Sequence, residues 1–321
     1  MSINAENIRN IAVIGHSGEG KTSVCEAILF NGKSTDRLGK VTDGNTVTDY
    51  DEQEIARKMS ISLAAAFTVW NGVKINLLDV PGFYDFEGEE NEALRAAGGA
   101  LVVTGATGSL SVGAEKAIDK CLKNKIPMVI FINGVDKDNA DYAGTVAALK
   151  EKYAGKIAPI QIPLMEGNKM VGYINALKET CYHFADEAQK QPIPIPEELK
   201  GTLAEMQANL TETAAENDEA LLDKYFEEGE LSKDEIIHGI RKGIYNVNTI
   251  PVMAGSALQN RGIINLIEEI VKYMPNAVER REILAQSENG EELVPISCKA
   301  MAPFAAQVFK TTVDPFVGKL N

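Results

Sequence analysis

The sequence predicts an α/β fold built on a doubly wound, mostly parallel sheet. Three observations carry this. Short apolar runs alternate with helical patterns through the first half of the chain, the order expected of strands laid side by side with helices packed over them. The runs are followed by polar loops after Ile14, Leu78 and Ile132, at the strand ends where such sheets place their ligands. The dipeptide Asn71-Gly72 separates two further strand-like runs, a strong signal for one antiparallel hairpin within the sheet.

The elements follow in order. Asn10–Ile14 reads as a buried strand and Thr22–Phe30 as a helix capped by Gly32. Asn31–Asp51 has no clear period and is rich in Gly, Thr, Asp and Asn; so long a loop in a compact domain is usually functional or disordered. Ser60–Trp70 and Val73–Asp79 are the hairpin strands. Glu89–Ala97 is helical, Ala100–Thr104 a strand, Ala114–Asn124 a helix, Met128–Asn133 a strand and Asp141–Tyr153 a helix. The pattern then changes. Ile157–Leu164 and Met170–Ile174 read as short strands, and Pro192–Pro196 as a stiff polyproline-like connector. Helices are expected near Pro196–Ala215, Asp218–Glu228 and Ser232–Asn246. Thr249–Ala254 is a strand and Ile263–Tyr273 a helix. From 288 to 321 the chain looks all-β, with strand composition in Glu292–Lys299 and Ala305–Val313.

Composition narrows the class. The 321 residues suggest about two domains. Hydrophobic residues at 45% and charged residues at 24% suit a globular chain and exclude collagen, disorder and a disulfide scaffold. No apolar stretch approaches the roughly 20 residues of a spanning helix, and the polar start does not read as a signal peptide. The net charge of −14 argues against broad electrostatic binding of nucleic acid, including sequence-specific DNA. Cys25, Cys121, Cys181 and Cys298 lie too far apart for a metal clip or redox pair and read as small thiols in a reducing, cytoplasmic setting. The acidic clusters Asp218-Glu219, Glu227-Glu228 and Asp234-Glu235 read as a solvated face. The chain is expected to be monomeric.

Chemistry concentrates in four places. Gly15-His16-Ser17-Gly18-Glu19-Gly20-Lys21-Thr22 is G-x-x-x-x-G-K-[ST] between a strand and a helix. Its glycines let backbone N–H groups turn onto phosphate oxygens, and the helix adds its positive end. Lys21 supplies charge to the outer phosphates, the Thr22 hydroxyl can ligate Mg2+, and Ser23 completes the contacting stretch. His16 reads as loop structure, not a base. Asp79-Val80-Pro81-Gly82 ends a strand. Asp79 is the expected magnesium-side carboxylate, and the Gly82 N–H can meet the γ-phosphate. Asn133-Gly134-Val135-Asp136 follows the next central strand. The Asp136 carboxylate can accept both donors of a guanine edge; adenine lacks that pair and would leave the charge unpaired. Backbone N–H groups of Ser256, Ala257 and Leu258 can reach guanine O6.

These pieces, in this order, resemble a P-loop GTP-binding domain, and in detail the elongation factor G family, especially its factor G-like (factor G 2) paralogues. Asp49–Glu54 looks like the family's first switch and Arg57–Ser60 its end. The resemblance places the switch hydroxyl, a magnesium ligand with Thr22 and Asp79, on Ser60. Asp136 and Ser256 lie 120 positions apart, where one more α/β unit needs only about 30; the surplus resembles the family's inserted α+β subdomain. Phe309–Gly318 resembles the start of its second, β-barrel domain. The implied organisation is a G domain at 1–160 and 248–287, an insert at 161–247 and a truncated barrel from 288, the N-terminal part of a longer protein. The implied function is GTP hydrolysis with Mg2+ on the ribosome, with Lys21 and Gly82 as the catalytic contributors and GTP/GDP as ligand.

Three positions depart from the family pattern. Phe83 stands where a histidine helps place the attacking water, so hydrolysis is in question while binding is not. Gly134 replaces the lysine of N-K-x-D, and Lys137 is the neighbour able to substitute. Gly18 replaces an aspartate. Phe83 motivates an alternative, a GTP-gated ribosome binder or ribosomal-protection factor that barely hydrolyses.

Overall fold

The computed structural model describes residues 3–184, 190–279, 283–287, 289–290, 292–299, 301–314 and 316–321. A seven-stranded sheet forms the centre, in the order β2-β3-β1-β4-β5-β11-β6. Its strands are β1 (Ile8–Ile14), β2 (Ala64–Trp70), β3 (Val73–Asp79), β4 (Gly99–Gly105), β5 (Met128–Asn133), β6 (Ile157–Pro159) and β11 (Ile250–Gly255). All neighbours are parallel except β2 and β3. Asn71 and Gly72 both have positive φ, 48° and 81°, as the tight turn of a twisted hairpin requires.

Alternate residues of β1 serve opposite faces. Ile11 and Val13 join one apolar cluster with Val24 and Ile28 of α1 (Lys21–Asn31) and Leu266 and Ile270 of α9 (Ile263–Tyr273). Ala12 and Ile14 join another with Ala93, Ile118 and Leu149. Those three belong to α3 (Glu87–Ala96), α4 (Val112–Asn124) and α5 (Tyr142–Lys152). The doubly wound sheet is therefore as expected, and each helix the sequence predicted falls within a few residues of its expected place.

A second sheet is antiparallel, in the order β10-β9-β8-β7. It comprises β7 (Gln161–Glu166), β8 (Lys169–Asn175), β9 (Thr180–Phe184) and β10 (Lys190–Ile193), and is followed by α6 (Lys200–Glu216), α7 (Glu219–Glu228) and α8 (Lys233–Tyr245). Here the sequence reading needs correction. The single strand expected over 157–164 is two. Ile160 donates its N–H to Val252 of the main sheet, 3.2 Å, while its carbonyl accepts from Ala176, 3.0 Å, so the chain changes sheets at that residue. Pro192 and Ile193 are not connector but strand, paired with Tyr182 and Cys181. A proline is tolerated there because β10 is an edge strand, where no ladder bond is lost. The acidic clusters are not merely solvated: Asp218 caps α7 and meets Lys242 at 2.7 Å, and Glu235 caps α8 and meets Lys224 at 2.9 Å.

The hairpin strand expected from Ser60 begins only at Ala64, because Ser60–Leu63 is held by side chains of other segments. The last strands are β12 (Ile283–Gln286), β13 (Leu293–Ile296), β14 (Thr312–Asp314) and β15 (Gly318–Leu320), two antiparallel pairs. The strand expected over Ala305–Val313 is confined to its end; 305–311 find no partner strand among the described residues. No described helix is long and apolar enough to cross a membrane.

Candidate functional site

β1 ends at Ile14, and the loop that follows is shaped by what it touches. Gly15 has φ 137°, and a Cβ there would lie 2.2 Å from the Val103 carbonyl of β4; only a residue without a side chain can leave the sheet at that point. Gly20 caps α1 in a left-handed conformation, and its missing Cβ would meet the Asn133 side chain at 2.4 Å. Lys21 begins α1, is buried, and arches back to donate to the His16 carbonyl at 2.8 Å. Burial pulls its ammonium below the ordinary lysine value, against the attraction of Asp79 and Glu19. Gly82 packs onto the same loop: a Cβ there would lie 2.3 Å from Lys21 Nζ and 2.6 Å from Ser17 N. His16 faces the first turn of α4, where a Cβ on Gly113 would come within 2.5 Å of its Nδ1. The Glu19 carboxylate accepts from His16 N at 3.1 Å.

The three side chains expected to hold a metal come together. Thr22 and Ser60 hydroxyls are 3.1 Å apart, although 38 residues separate them. Ser60 donates to Asp49 Oδ1 at 2.7 Å. Asp79, at the end of β3, accepts from the Thr48 hydroxyl at 2.6 Å and is 1% exposed. Burial pushes its carboxyl up to about 6, against the hydrogen bond from Thr48, with Asp49 adding to the rise. Asp49 is likewise raised by burial. Asp79 Oδ1 and Asp49 Oδ2 are buried without a partner. Two desolvated carboxylates with unsatisfied oxygens, beside two hydroxyls, are oxygen donors suited to a hard divalent cation. No cluster of three or more His, Cys, Asp or Glu able to hold a metal exists among the described residues, so such a cation would need further oxygens, as phosphates supply.

A cavity of about 360 Å³ lies over this cluster, lined by Ser17, Gly18, Gly20–Ser23, Val41, Asp49, Arg57–Ser60, Gly82 and Phe83. The loops after β5 and β11 are not part of its lining but are tied to it. Asn133 donates from Nδ2 to the Glu19 carbonyl at 2.9 Å and accepts from Ala257 N at 3.0 Å. One carboxamide thus joins the loop after β1 to the loop after β11. Ser256 and Arg261 exchange backbone hydrogen bonds of 3.0 and 2.8 Å, which close the turn carrying Ala257 and the exposed Leu258. Asp136 is half-buried beyond β5. The Lys137 stem lies over Gly134: a Cβ on that glycine would be 3.0 Å from Lys137 Cε and 3.3 Å from Cδ. A much larger cavity, about 1040 Å³, lies between β2–β3 and the segment 283–309 and shares none of these residues.

The family model described as the elongation factor Tu GTP binding domain matches residues 6–276. The chain belongs to this family. It is homologous to the elongation factor G of Mycoplasma pneumoniae, with 34% identity over 317 residues, 98% of this chain and 46% of that protein. A crystal structure of a Thermus thermophilus protein superposes with a TM-score of 0.83 at 29% identity, over 97% of this chain and 44% of that one. The chain thus spans about half the length of these relatives. The expected GTP-binding domain and its relation to elongation factor G are borne out.

For a GTP-binding domain of this family, Thr48 and Glu26 lay outside the sequence reading, and Glu54, Arg57 and Lys58 entered it only as members of the switch segment. Thr48 was one of many polar residues in an aperiodic loop. Its signal is burial: Thr48 and Asp49 are 2% and 4% exposed. Glu26, on α1, holds that loop inward by accepting from Val47 N at 2.6 Å. Glu54 caps its own helix, α2 (Glu52–Arg57), and accepts from Ile61 N and Ser62 N at 2.9 and 3.1 Å, which fixes the turn after Ser60. Arg57 and Lys58 bring two cations to the cavity wall.

Proposed function

We propose that this chain is the guanine-nucleotide-binding part of an elongation factor G-type translation factor, which hydrolyses GTP with Mg2+ on the ribosome. The observation that carries the reading is the convergence of Lys21, Thr22, Ser60 and Gly82 on one cavity at the ends of β1 and β3, with the buried Asp79 carboxylate at the end of β3 beside them. In this reading the backbone of Gly15–Ser23 cradles the phosphates and Lys21 exchanges its His16 contact for phosphate oxygen. Thr22, Ser60 and Asp79 would hold Mg2+, whose charge stabilises the leaving phosphate oxygens when it is bound. The Gly82 N–H faces the γ-phosphate. Asp136 reads the guanine edge, the N–H groups of Ser256, Ala257 and Leu258 face its O6, and Lys137 lies along the base in place of the absent lysine at 134. The four-stranded sheet with α6–α8 is an insert, and the protein acts in the cytoplasm as a monomer.

A second reading rests on Phe83. It lines the cavity beside Gly82 and is 42% exposed, and a phenyl ring has no lone pair to orient water. On that reading the protein is a GTP-gated ribosome binder with little hydrolysis. Single-turnover GTP hydrolysis by the whole protein, with and without ribosomes, separates the two. Ribosome-stimulated turnover supports the first reading. Binding without turnover, restored by Phe83→His, supports the second. Failure to bind GDP in preference to ADP overturns both.

A further inference from the structure

The Thr48–Asp79 hydrogen bond is not required by the nucleotide reading, and it has an unusual setting. A bond serving only to bury Asp79 would leave neither carboxylate oxygen in want of a partner. Here Thr48 takes Oδ2 and leaves Oδ1 buried and unpaired. The next residue repeats the arrangement: Asp49 Oδ1 accepts from Ser60 while Oδ2 stays unpaired. Residues 48 and 49 are adjacent in a loop, yet each braces a different member of the Thr22–Ser60–Asp79 cluster. Thr48 is 2% exposed, so its hydroxyl is fixed inside the protein, and the same loop is held at Val47 by Glu26.

We propose that Thr48 is a positioning residue for the magnesium end of the site: by holding Asp79 Oδ2 it directs Oδ1 toward the cation and couples docking of the 39–49 loop to cation occupancy. This rests on the nucleotide reading above and adds to it a residue that contacts neither phosphate nor base. Because Thr48 acts through Asp79, its loss changes the dependence of nucleotide retention on Mg2+ and leaves the metal-free affinity alone.

The test is release of a fluorescent GDP analogue, measured across a Mg2+ titration and in EDTA. For Thr48→Val the half-effect Mg2+ concentration is expected to rise about tenfold, the loss attached to one hydrogen bond to a charged group. The EDTA release rate should match the unmodified protein, and Thr48→Ser should restore the titration. Trypsin cleavage after Arg57 or Lys58, both exposed, gives a second readout: Mg2+ with nucleotide should protect the unmodified and Ser proteins and fail to protect the Val protein. Thr48→Ala makes the same comparison should the valine methyl disturb folding. Superimposable titrations for Val, Ala and unmodified protein would overturn the proposal, as would a Ser variant behaving like Val. Unmodified protein that releases the GDP analogue at a rate indifferent to Mg2+ would instead overturn the nucleotide reading itself.

Discussion

Asn133→Ala tests whether one side chain holds the two halves of the nucleotide site together. The carboxamide is 9% exposed and spans from the Glu19 carbonyl to the Ala257 N–H, the latter on a residue 1% exposed. Removing it has unequal consequences at its two ends. Glu19 is half-buried, and its carbonyl can take a water in exchange, so that end costs about 1 kcal/mol. The Ala257 N–H has no such recourse, and a buried donor left unpaired costs about 2 kcal/mol. The sum, about 3 kcal/mol, corresponds to a fall in Tm of about 6–12 °C for a unit of this size. The assay is thermal unfolding of the nucleotide-free protein, which separates this bridge from any contact with ligand. GDP affinity, measured alongside, should fall at least tenfold, because the loop carrying Ser256–Leu258 is no longer referenced to the phosphate loop. A Tm within about 2 °C of the unmodified protein would refute the reasoning, whatever happens to affinity.

Three further outcomes are expected. Gly15→Ala should not yield folded protein at 37 °C, because a Cβ 2.2 Å from a backbone carbonyl at φ 137° has no room to relax; soluble yield and circular dichroism check this. Lys137→Ala should weaken GDP binding by about three- to tenfold with no change in Tm, since the stem over Gly134 is exposed; equilibrium titration decides it. Glu269→Gln should raise Tm near neutral pH. Glu269 is 1% exposed, and burial lifts its carboxyl above the ordinary value by more than Lys178, Lys272 and Asn175 lower it. The folded state therefore holds this proton more tightly than the unfolded state, and the associated stability is present at acid pH and lost as pH rises through the folded value. The variant lacks that loss, so its advantage should shrink to nothing as pH falls below the ordinary glutamate range. A lower Tm for the variant near neutral pH would show that its interaction with Lys178, 3.8 Å away, outweighs burial.

What could be read from the sequence is what adjacent residues decide. The glycine-rich turn from β1 into α1, the Asn71-Gly72 turn and the strand-helix alternation are each written in a window of a few residues, and each was found where expected. The change of sheet at Ile160 was not legible, because Ile157–Leu164 is apolar throughout and nothing local tells which neighbour each half will pair with. Pro192 misled for a related reason: proline signals a connector unless an edge position, known only in three dimensions, excuses it. The largest gap was the loop 31–51. Its lack of period is real, and its order comes from outside it, from Glu26 on α1 and Asp79 on β3. A composition that looks like solvent-facing loop can be buried when the groups that satisfy it are distant in sequence.

The two departures that bear on chemistry have different remedies within the chain. The missing lysine at 134 has a neighbour in its place, because the backbone after Gly134 turns so that Lys137 folds back over it. The missing histidine at 83 has no such replacement among the side chains that line the cavity. Arg57 and Lys58 are cations and carry no lone pair. Asp49 lines the cavity but belongs to the oxygen cluster suited to a cation, with its Oδ1 engaged by Ser60. His16 is near in sequence to Lys21 but packs against Gly113. On the proposed reading, the groups for binding are furnished by this chain, whereas orientation of a water would come from the proposed ribosomal partner or not occur. The consequence is a separation that kinetics can read. Without ribosomes, Phe83→His should raise the hydrolysis rate while leaving GTP affinity within about threefold, since no contact to phosphate or base is altered. A ribosome-free rate equal in the two proteins would mean that position 83 does not limit water placement, and that the partner supplies more than the missing imidazole.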